Sequence, residues 1–152
     1  MTRIPAPALI LGLAGLLPFL WGAVTAHLPG LAPSLAPWLP GRFAGAAVLQ
    51  GYGIVILSFM AGVIWGFGTR ASGRRAMLFY VISVMPPLWA FFAATGEVAP
   101  SLVALIAGFV ALLAVDWSAA RAGLAPPWWM TLRLLLTAIV SLCLILGLWA
   151  VP

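Results

Sequence analysis

Residues 50–68 read QGYGIVILSFMAGVIWGFG, and their pattern predicts a membrane-spanning helix at the centre of the fold. It carries no charged residue and is about as long as one membrane-spanning helix, which needs about 20 apolar residues. On a helix, where successive side chains are about 100° apart, its residues and those just before it form two opposite faces. The small face consists of Ala44, Ala47, Gly51, Ser58, Gly62 and Gly66. The bulky face consists of Leu49, Ile56, Met60, Ile64 and Phe67.

The small face predicts how this helix packs. Lipid removes the hydrophobic drive for helix association, so membrane helices are held together by close contact at small residues. Gly62 and Gly66 form a GxxxG pair within the small face. We therefore expect Gly51, Ser58, Gly62 and Gly66 to be helix-packing residues and the bulky face to meet lipid. We also expect this helix to be the central packing element of the bundle.

The composition indicates an integral membrane protein. Hydrophobic residues make up 65% of the chain and charged residues 6%, with a mean hydropathy of +1.21. Soluble proteins carry about 25% charged residues. The net charge of +5 comes from arginines, which in a membrane chain report orientation, so we expect no nucleic-acid partner. One cysteine and one histidine favour neither a disulfide framework nor a metal site, and we expect no cofactor.

We predict an all-α bundle of five transmembrane helices in a single domain covering residues 1–152. The predicted helices cover residues 6–26, 43–67, 77–95, 101–117 and 128–150. Residues 24–26 resemble a signal-peptidase site, but the long first run favours a retained helix. Pro18 should interrupt helix one, and Pro86 and Pro87 should kink helix three. Four prolines within residues 27–42 predict an irregular apolar loop at the membrane surface.

The arginines predict the orientation. Short loops rich in arginine stay on the cytoplasmic side of the membrane. In a five-span chain only Arg42 falls on one side, whereas the remaining arginines fall on the other: Arg3, Arg70, Arg74, Arg75, Arg121 and Arg133. We therefore expect a multi-pass protein of a bacterial inner membrane, with a cytoplasmic N-terminus and a periplasmic C-terminus.

Few polar residues are available for a site. Asp116 and Arg133 should lie near the inner ends of helices four and five, where they form either an ion pair, with Arg133 reaching toward the headgroups, or a ligand site. Gln50 and Tyr52 flank the small face of helix two, and Trp65 lies near its inner end. Each of these three is a candidate polar or ligand contact, with interhelical bonding or interfacial anchoring as the alternative.

Several short motifs resemble those of a known family. Helix two contains Gly51-Tyr52-Gly53, Leu57-Ser58-Phe59-Met60-Ala61-Gly62 and Trp65-Gly66. Helix five contains Trp128-Trp129, Leu132-Arg133 and Leu136-Thr137, and helix one contains Leu17-Pro18-Phe19. Together they resemble the bacterial domain-of-unknown-function family related to eukaryotic transmembrane protein 69. The resemblance implies a small multi-span membrane protein and implies no activity.

Three functional hypotheses remain. Sequence motifs of nucleotide-binding, zinc-dependent or serine enzymes do not occur in the chain. The leading hypothesis is therefore a non-enzymatic accessory, assembly or scaffold protein, embedded in the lipid bilayer and binding a membrane-protein partner or a second copy through helix two. The alternative is a binder or carrier of a lipid or quinone, with Trp21, Tyr52 and Trp89 between kinked helices one and three. The least favoured is an enzyme acting at headgroups through Asp116.

Overall fold

A computed structural model describes residues 3–151, which contain helices and no strand. We label the α-helices α1 to α7 in chain order. Their bounds are α1 Ala6–Ala14, α2 Leu17–His27, α3 Leu31–Leu35, α4 Gly45–Gly68, α5 Gly73–Ala93, α6 Val98–Arg121 and α7 Trp129–Trp149. Five spans are long and apolar enough to cross a membrane, namely α1 with α2, then α4, α5, α6 and α7. The predicted five-helix membrane bundle is confirmed.

The first span is interrupted between α1 and α2. Pro18 is the second residue of α2, so it has no amide hydrogen to donate to the carbonyl of Ala14 one turn earlier. Gly15 and Leu16 lie in the interruption, where the Leu16 amide bonds the carbonyl of Leu13, 3.0 Å away. By contrast, α5 continues as a helix through Pro86 and Pro87.

The second predicted span, α4, is the central helix, as expected. It packs against α2, α5, α6 and α7. Its two faces, however, are reversed relative to the prediction. Leu49, Met60, Ile64 and Phe67 of the bulky face are buried within the chain. On the small face Gly51, Gly62 and Gly66 are exposed, and Ser58 is half-buried.

Close helix contacts occur at other glycines. A Cβ atom built on Gly53 of α4 would lie 2.8 Å from Leu105 Cδ1, and one on Gly108 of α6 would lie 2.7 Å from Leu57 Cδ2. The Leu49 side chain similarly fills the space beside Gly22 of α2 and Gly147 of α7. In contrast, a Cβ on Gly51, Gly62 or Gly66 would meet nothing within 4 Å among the described residues. The small face is therefore not a packing face inside this chain.

Three further boundaries differ from the prediction. Helix α5 begins at Gly73, four residues earlier than predicted. Gly73 has a φ of +57°, which favours glycine over other residues. Helix α6 continues to Arg121, so Asp116 lies inside the helix and does not mark its end. The proline-rich segment contains the short helix α3, in which Pro33 occupies the first turn, where its missing amide hydrogen costs nothing.

Polar contacts connect the ends of the helices. The Arg70 guanidinium donates through Nη1 to the Leu124 carbonyl, 2.7 Å away, which joins the α4–α5 turn to the α6–α7 loop. At the opposite end of the bundle, the Gly45 amide donates to Thr25 Oγ1 at 2.7 Å. His27 Nε2 lies 3.0 Å from the carbonyl oxygen of Leu146 in the last turn of α7.

Candidate ligand-binding cleft

Asp116 and Arg133 form an ion pair between α6 and α7. Arg133 Nε lies 2.6 Å from Asp116 Oδ2, and the indole Nε1 of Trp129 donates to the other carboxylate oxygen at 2.8 Å. Arg133 is 3% exposed and Asp116 is fully buried. Arg133 was expected to reach toward the lipid headgroups, but its guanidinium is buried inside the bundle. Two donors from one helix hold a carboxylate on the neighbouring helix.

The ion pair leaves part of the guanidinium unused. Arginine has five N–H donors and often forms a two-bond fork with a carboxylate. Here only Nε bonds Asp116, and the buried Nη2 has no hydrogen-bond partner among residues 3–151. Thr137, one turn further along α7, is 4% exposed, and its hydroxyl oxygen is also buried and unpartnered within the described chain. Unpaired donors in an apolar interior are costly, so these atoms require an explanation.

Both residues line a cleft between the first span, α4 and α7. The cleft has a volume of about 340 Å³, within the usual size range of small-molecule sites. It opens at the outer surface of the bundle, because Leu11, Val55 and Phe59 on its wall are exposed. Its full lining is Leu11, Gly12, Gly15, Leu16, Phe19, Tyr52, Val55, Ile56, Phe59, Met60, Phe109, Arg133, Leu136, Thr137 and Val140. Apart from Tyr52, Arg133 and Thr137, these residues are apolar.

The helix interruption and an aromatic row form part of the same wall. A Cβ on Gly15 would lie 3.9 Å from the Tyr52 hydroxyl oxygen. Tyr52 packs edge-on against Phe19, which in turn packs edge-on against Phe109, with ring centroids 5.1 and 6.3 Å apart. Non-helical backbone is tolerated at membrane depth where it is buried in protein or lines a cavity. The interruption beside Gly15 meets this condition.

The structure brings together only some of the predicted site residues. Tyr52 and Arg133 line the cleft. Asp116 does not line it but accepts the hydrogen bond from Arg133 Nε. Gln50 lies elsewhere, with Nε2 3.0 Å from three acceptors that belong to the α5–α6 turn and the start of α6: the Ala94 and Gly96 carbonyls and Ser101 Oγ. Trp65 is half exposed and packs on Tyr80, with ring centroids 4.6 Å apart.

The aromatic residues expected around a ligand lie apart. Trp89 of α5 donates to the Ala104 carbonyl at 2.8 Å and lines a separate, apolar cavity beside Pro86 and Gly108. Trp21 donates to the Phe43 carbonyl at 2.8 Å and lines a third cavity. Only Tyr52 of the three belongs to the cleft with Arg133. Helix one lines the cleft as expected, but helix three does not, because α7 lies in the place assigned to helix three.

Thr137 is the cleft residue that the sequence did not single out. Serine and threonine hydroxyls in helices commonly bond the backbone of their own helix, so the residue type alone does not indicate a site. A usable signal was present, since Arg133, Thr137 and Ser141 follow each other at intervals of four and lie along one side of α7. The Ser141 hydroxyl is also unpartnered in the described part of the chain, but Ser141 does not line the cleft.

The arrangement is suited to hydrogen bonding with a hydrophobic molecule. Its polar atoms are N–H and O–H groups on apolar walls, next to a carboxylate already bonded by two donors. Residues 3–151 contain no group of three or more His, Cys, Asp or Glu side chains that could hold a metal ion.

Comparisons with known proteins identify relatives of the chain. The family model described as "Protein of unknown function (DUF3429)" matches residues 4–149. Transmembrane protein 69 of Xenopus tropicalis is 32% identical over 146 residues, which cover 93% of this chain. The chain spans about half of that protein, 53% of its length. No solved structure matches the chain.

Proposed function

The chain belongs to the family described as "Protein of unknown function (DUF3429)", as its motifs predicted, and from its geometry we propose that it binds an amphipathic, lipid-soluble small molecule. The molecule enters the cleft between the first span, α4 and α7 from the surrounding lipid. Its polar group bonds Arg133 and Thr137, and its apolar part contacts the aromatic and aliphatic walls. This is the alternative hypothesis drawn from the sequence, with α4 and α7 in place of predicted helix three as walls of the site.

One observation carries the proposal: a buried arginine with unused donors lines an open apolar cleft. An ionisable group within a membrane span is expensive and is usually functional. Asp116 accounts for the charge of Arg133, but it does not account for the unpartnered Nη2. A bound molecule with an acceptor group would satisfy both this nitrogen and the Thr137 hydroxyl.

The test is to extract the protein in native lipid discs without detergent and to identify the bound small molecules by mass spectrometry. Wild-type protein should retain one compound reproducibly, above its abundance in the surrounding membrane. Thr137→Val removes the hydroxyl while nearly preserving side-chain shape. It should lower the retained amount about two- to twelvefold, which corresponds to the loss of one hydrogen bond of about 0.5–1.5 kcal/mol.

Ser141→Ala is the matched control, because it removes another unpartnered hydroxyl of α7 that lies outside the cleft. It should leave retention unchanged. Equal retention by wild type, Thr137→Val and Ser141→Ala, or a lipid profile identical to that of the bulk membrane, would refute a binding site in this cleft.

The scaffold hypothesis is the second candidate, and the exposed small face of α4 favours it. Gly51, Gly62 and Gly66 have open space around them, so another helix can approach this surface closely. The partner would be another membrane protein or a second copy of the chain. Replacing Gly62 and Gly66 by Leu should reduce the size of the natively extracted particle without unfolding it. An unchanged particle would contradict this role.

We also propose that the protein lies in a bacterial inner membrane with its N-terminus in the cytoplasm. The bond between Arg70 and Leu124 supports this orientation, because it joins the α4–α5 turn, which carries Arg70, to the loop that follows Arg121 at the same end of the bundle. A reporter that works only in the cytoplasm should be active when it is fused after Arg121. A reporter that works only in the periplasm should be active when it is fused after Trp149. The reverse pattern would overturn the orientation.

A further inference from the structure

Two polar side chains that line the cleft, Arg133 and Thr137, restrict the chemistry of a ligand, because each has a buried polar atom without a partner in the described chain. A guanidinium group has donors and no acceptor, so the free Nη2 of Arg133 needs an acceptor. The Thr137 hydroxyl can also donate. The Asp116 carboxylate already accepts from Trp129 and Arg133, one donor on each oxygen, and it does not bond Nη2. The polar group of the ligand must therefore accept hydrogen bonds.

The charges of the site restrict the ligand further. Asp116 and Arg133 together carry no net charge, and both are buried. An anionic ligand would add an uncompensated negative charge to an apolar region, which is costly. A cationic ligand would add an uncompensated positive charge next to the Arg133 guanidinium, which is equally costly. An uncharged acceptor avoids both costs.

We propose that the ligand is an uncharged, carbonyl-bearing lipid-soluble molecule whose carbonyl oxygen accepts hydrogen bonds from Arg133 and Thr137. This inference rests on the proposed function and names the chemical class that the site takes. A quinone ring and a neutral acyl ester both carry such a carbonyl. The shared feature is an oxygen acceptor without charge, attached to a hydrophobic body.

The shape of the cleft agrees with this class. Its volume of about 340 Å³ is at the small end of ligand sites, which suits a carbonyl-bearing head and the first part of a chain. The edge-on row of Tyr52, Phe19 and Phe109 offers an aromatic wall. The rest of a long chain can leave through the open side, past the exposed Val55 and Phe59, into lipid.

The test measures equilibrium binding of four probes to purified, delipidated full-length protein reconstituted in uncharged lipid. The carbonyl probes are a decyl-substituted benzoquinone and a monoacylglycerol with a ten-carbon chain. Decylbenzene lacks the carbonyl, and decyl phosphate is anionic. At least one carbonyl probe should bind about tenfold or more tightly than decylbenzene and decyl phosphate. The preferred carbonyl probe distinguishes a quinone from an ester.

Two variants test the cause of the preference. Thr137→Val should weaken binding of the carbonyl probe about two- to twelvefold and leave binding of decylbenzene unchanged, in line with one lost hydrogen bond. Asp116→Asn keeps an oxygen acceptor for Trp129 but leaves Arg133 uncompensated, so it should bind decyl phosphate more tightly than wild type does. If Asp116→Asn does not fold, wild type and Thr137→Val still decide the question.

The possible failures are distinguishable. If no probe binds wild-type protein, the proposed function is wrong. If decyl phosphate binds wild type as tightly as the carbonyl probes, or if decylbenzene does, the cleft binds hydrophobic molecules but the carbonyl inference is overturned. A carbonyl preference that Thr137→Val leaves intact also overturns the assignment of the acceptor to this site.

Discussion

Replacing Arg133 by methionine should be one of the most destabilising single changes in the chain. The change removes the 2.6 Å bond to Asp116 and leaves a fully buried carboxylate with Trp129 as its remaining donor. Breaking one side of a buried ion pair typically costs about 3–5 kcal/mol. At about 1.4 kcal/mol per factor of ten, the folding equilibrium should fall by about two to four powers of ten.

A double variant separates the cost of the unpaired charge from the cost of lost packing. Replacing a whole buried ion pair by apolar residues is often neutral or stabilising. Asp116→Leu combined with Arg133→Met should therefore recover most of the stability lost in Arg133→Met. It should also abolish selective binding of the carbonyl probe, because the guanidinium is absent.

The assay is reversible unfolding in mixed micelles, followed by tryptophan fluorescence. Arg121→Met is the control, because Arg121 is an exposed arginine near the same end of the bundle that lies over the Trp117 ring at 5.2 Å. The control should change stability little. If Arg133→Met costs no more than Arg121→Met, or if the double variant is as unstable as the single one, the account of the buried pair is wrong.

Three further changes test the packing of the bundle by the same unfolding assay. Gly147→Ala should cost about 1–3 kcal/mol because its Cβ would overlap the buried Leu49 side chain, whereas Gly62→Ala should cost almost nothing; equal costs would contradict the observed faces of α4. Gln50→Leu should cost about 1 kcal/mol by freeing the α5–α6 turn, and faster amide exchange in that turn should accompany it. His27→Ala should cost about 0.5 kcal/mol, with faster exchange in the last turn of α7; unchanged exchange would show that the bond to that helix end contributes nothing.

The behaviour of α4 explains what periodicity predicts in a membrane protein. Periodicity predicted two faces and a central helix, and the helix is central. It could not decide which face is buried, because lipid and protein interior are both apolar. Small residues do mark close helix contacts in this bundle, but some of them lie on the helices that neighbour α4. Leu49 of α4 packs against Gly22 of α2 and Gly147 of α7.

The polar site was harder to predict for a related reason. Asp116 and Arg133 stood out as charged residues on adjacent helices joined by a short loop, and the ion pair that they form was one of two alternatives. Their burial did not follow, since it depends on α6 continuing past Asp116 to Arg121. Tyr52 and Thr137 come from helices distant in sequence. Only tertiary packing brings Tyr52, Arg133 and Thr137 to one cleft, and no local pattern encodes this arrangement.

The most direct test of the central claim follows the arginine side chains by nitrogen NMR in the natively extracted protein, before and after small molecules are stripped. The chain has seven arginines, and Arg133→Lys assigns the relevant signals. Stripping should shift the Nη signals of Arg133 and leave those of the other arginines nearly unchanged, and the carbonyl probe should restore the original Arg133 signals. An Arg133 spectrum that responds neither to stripping nor to the probe would contradict ligand binding by this guanidinium.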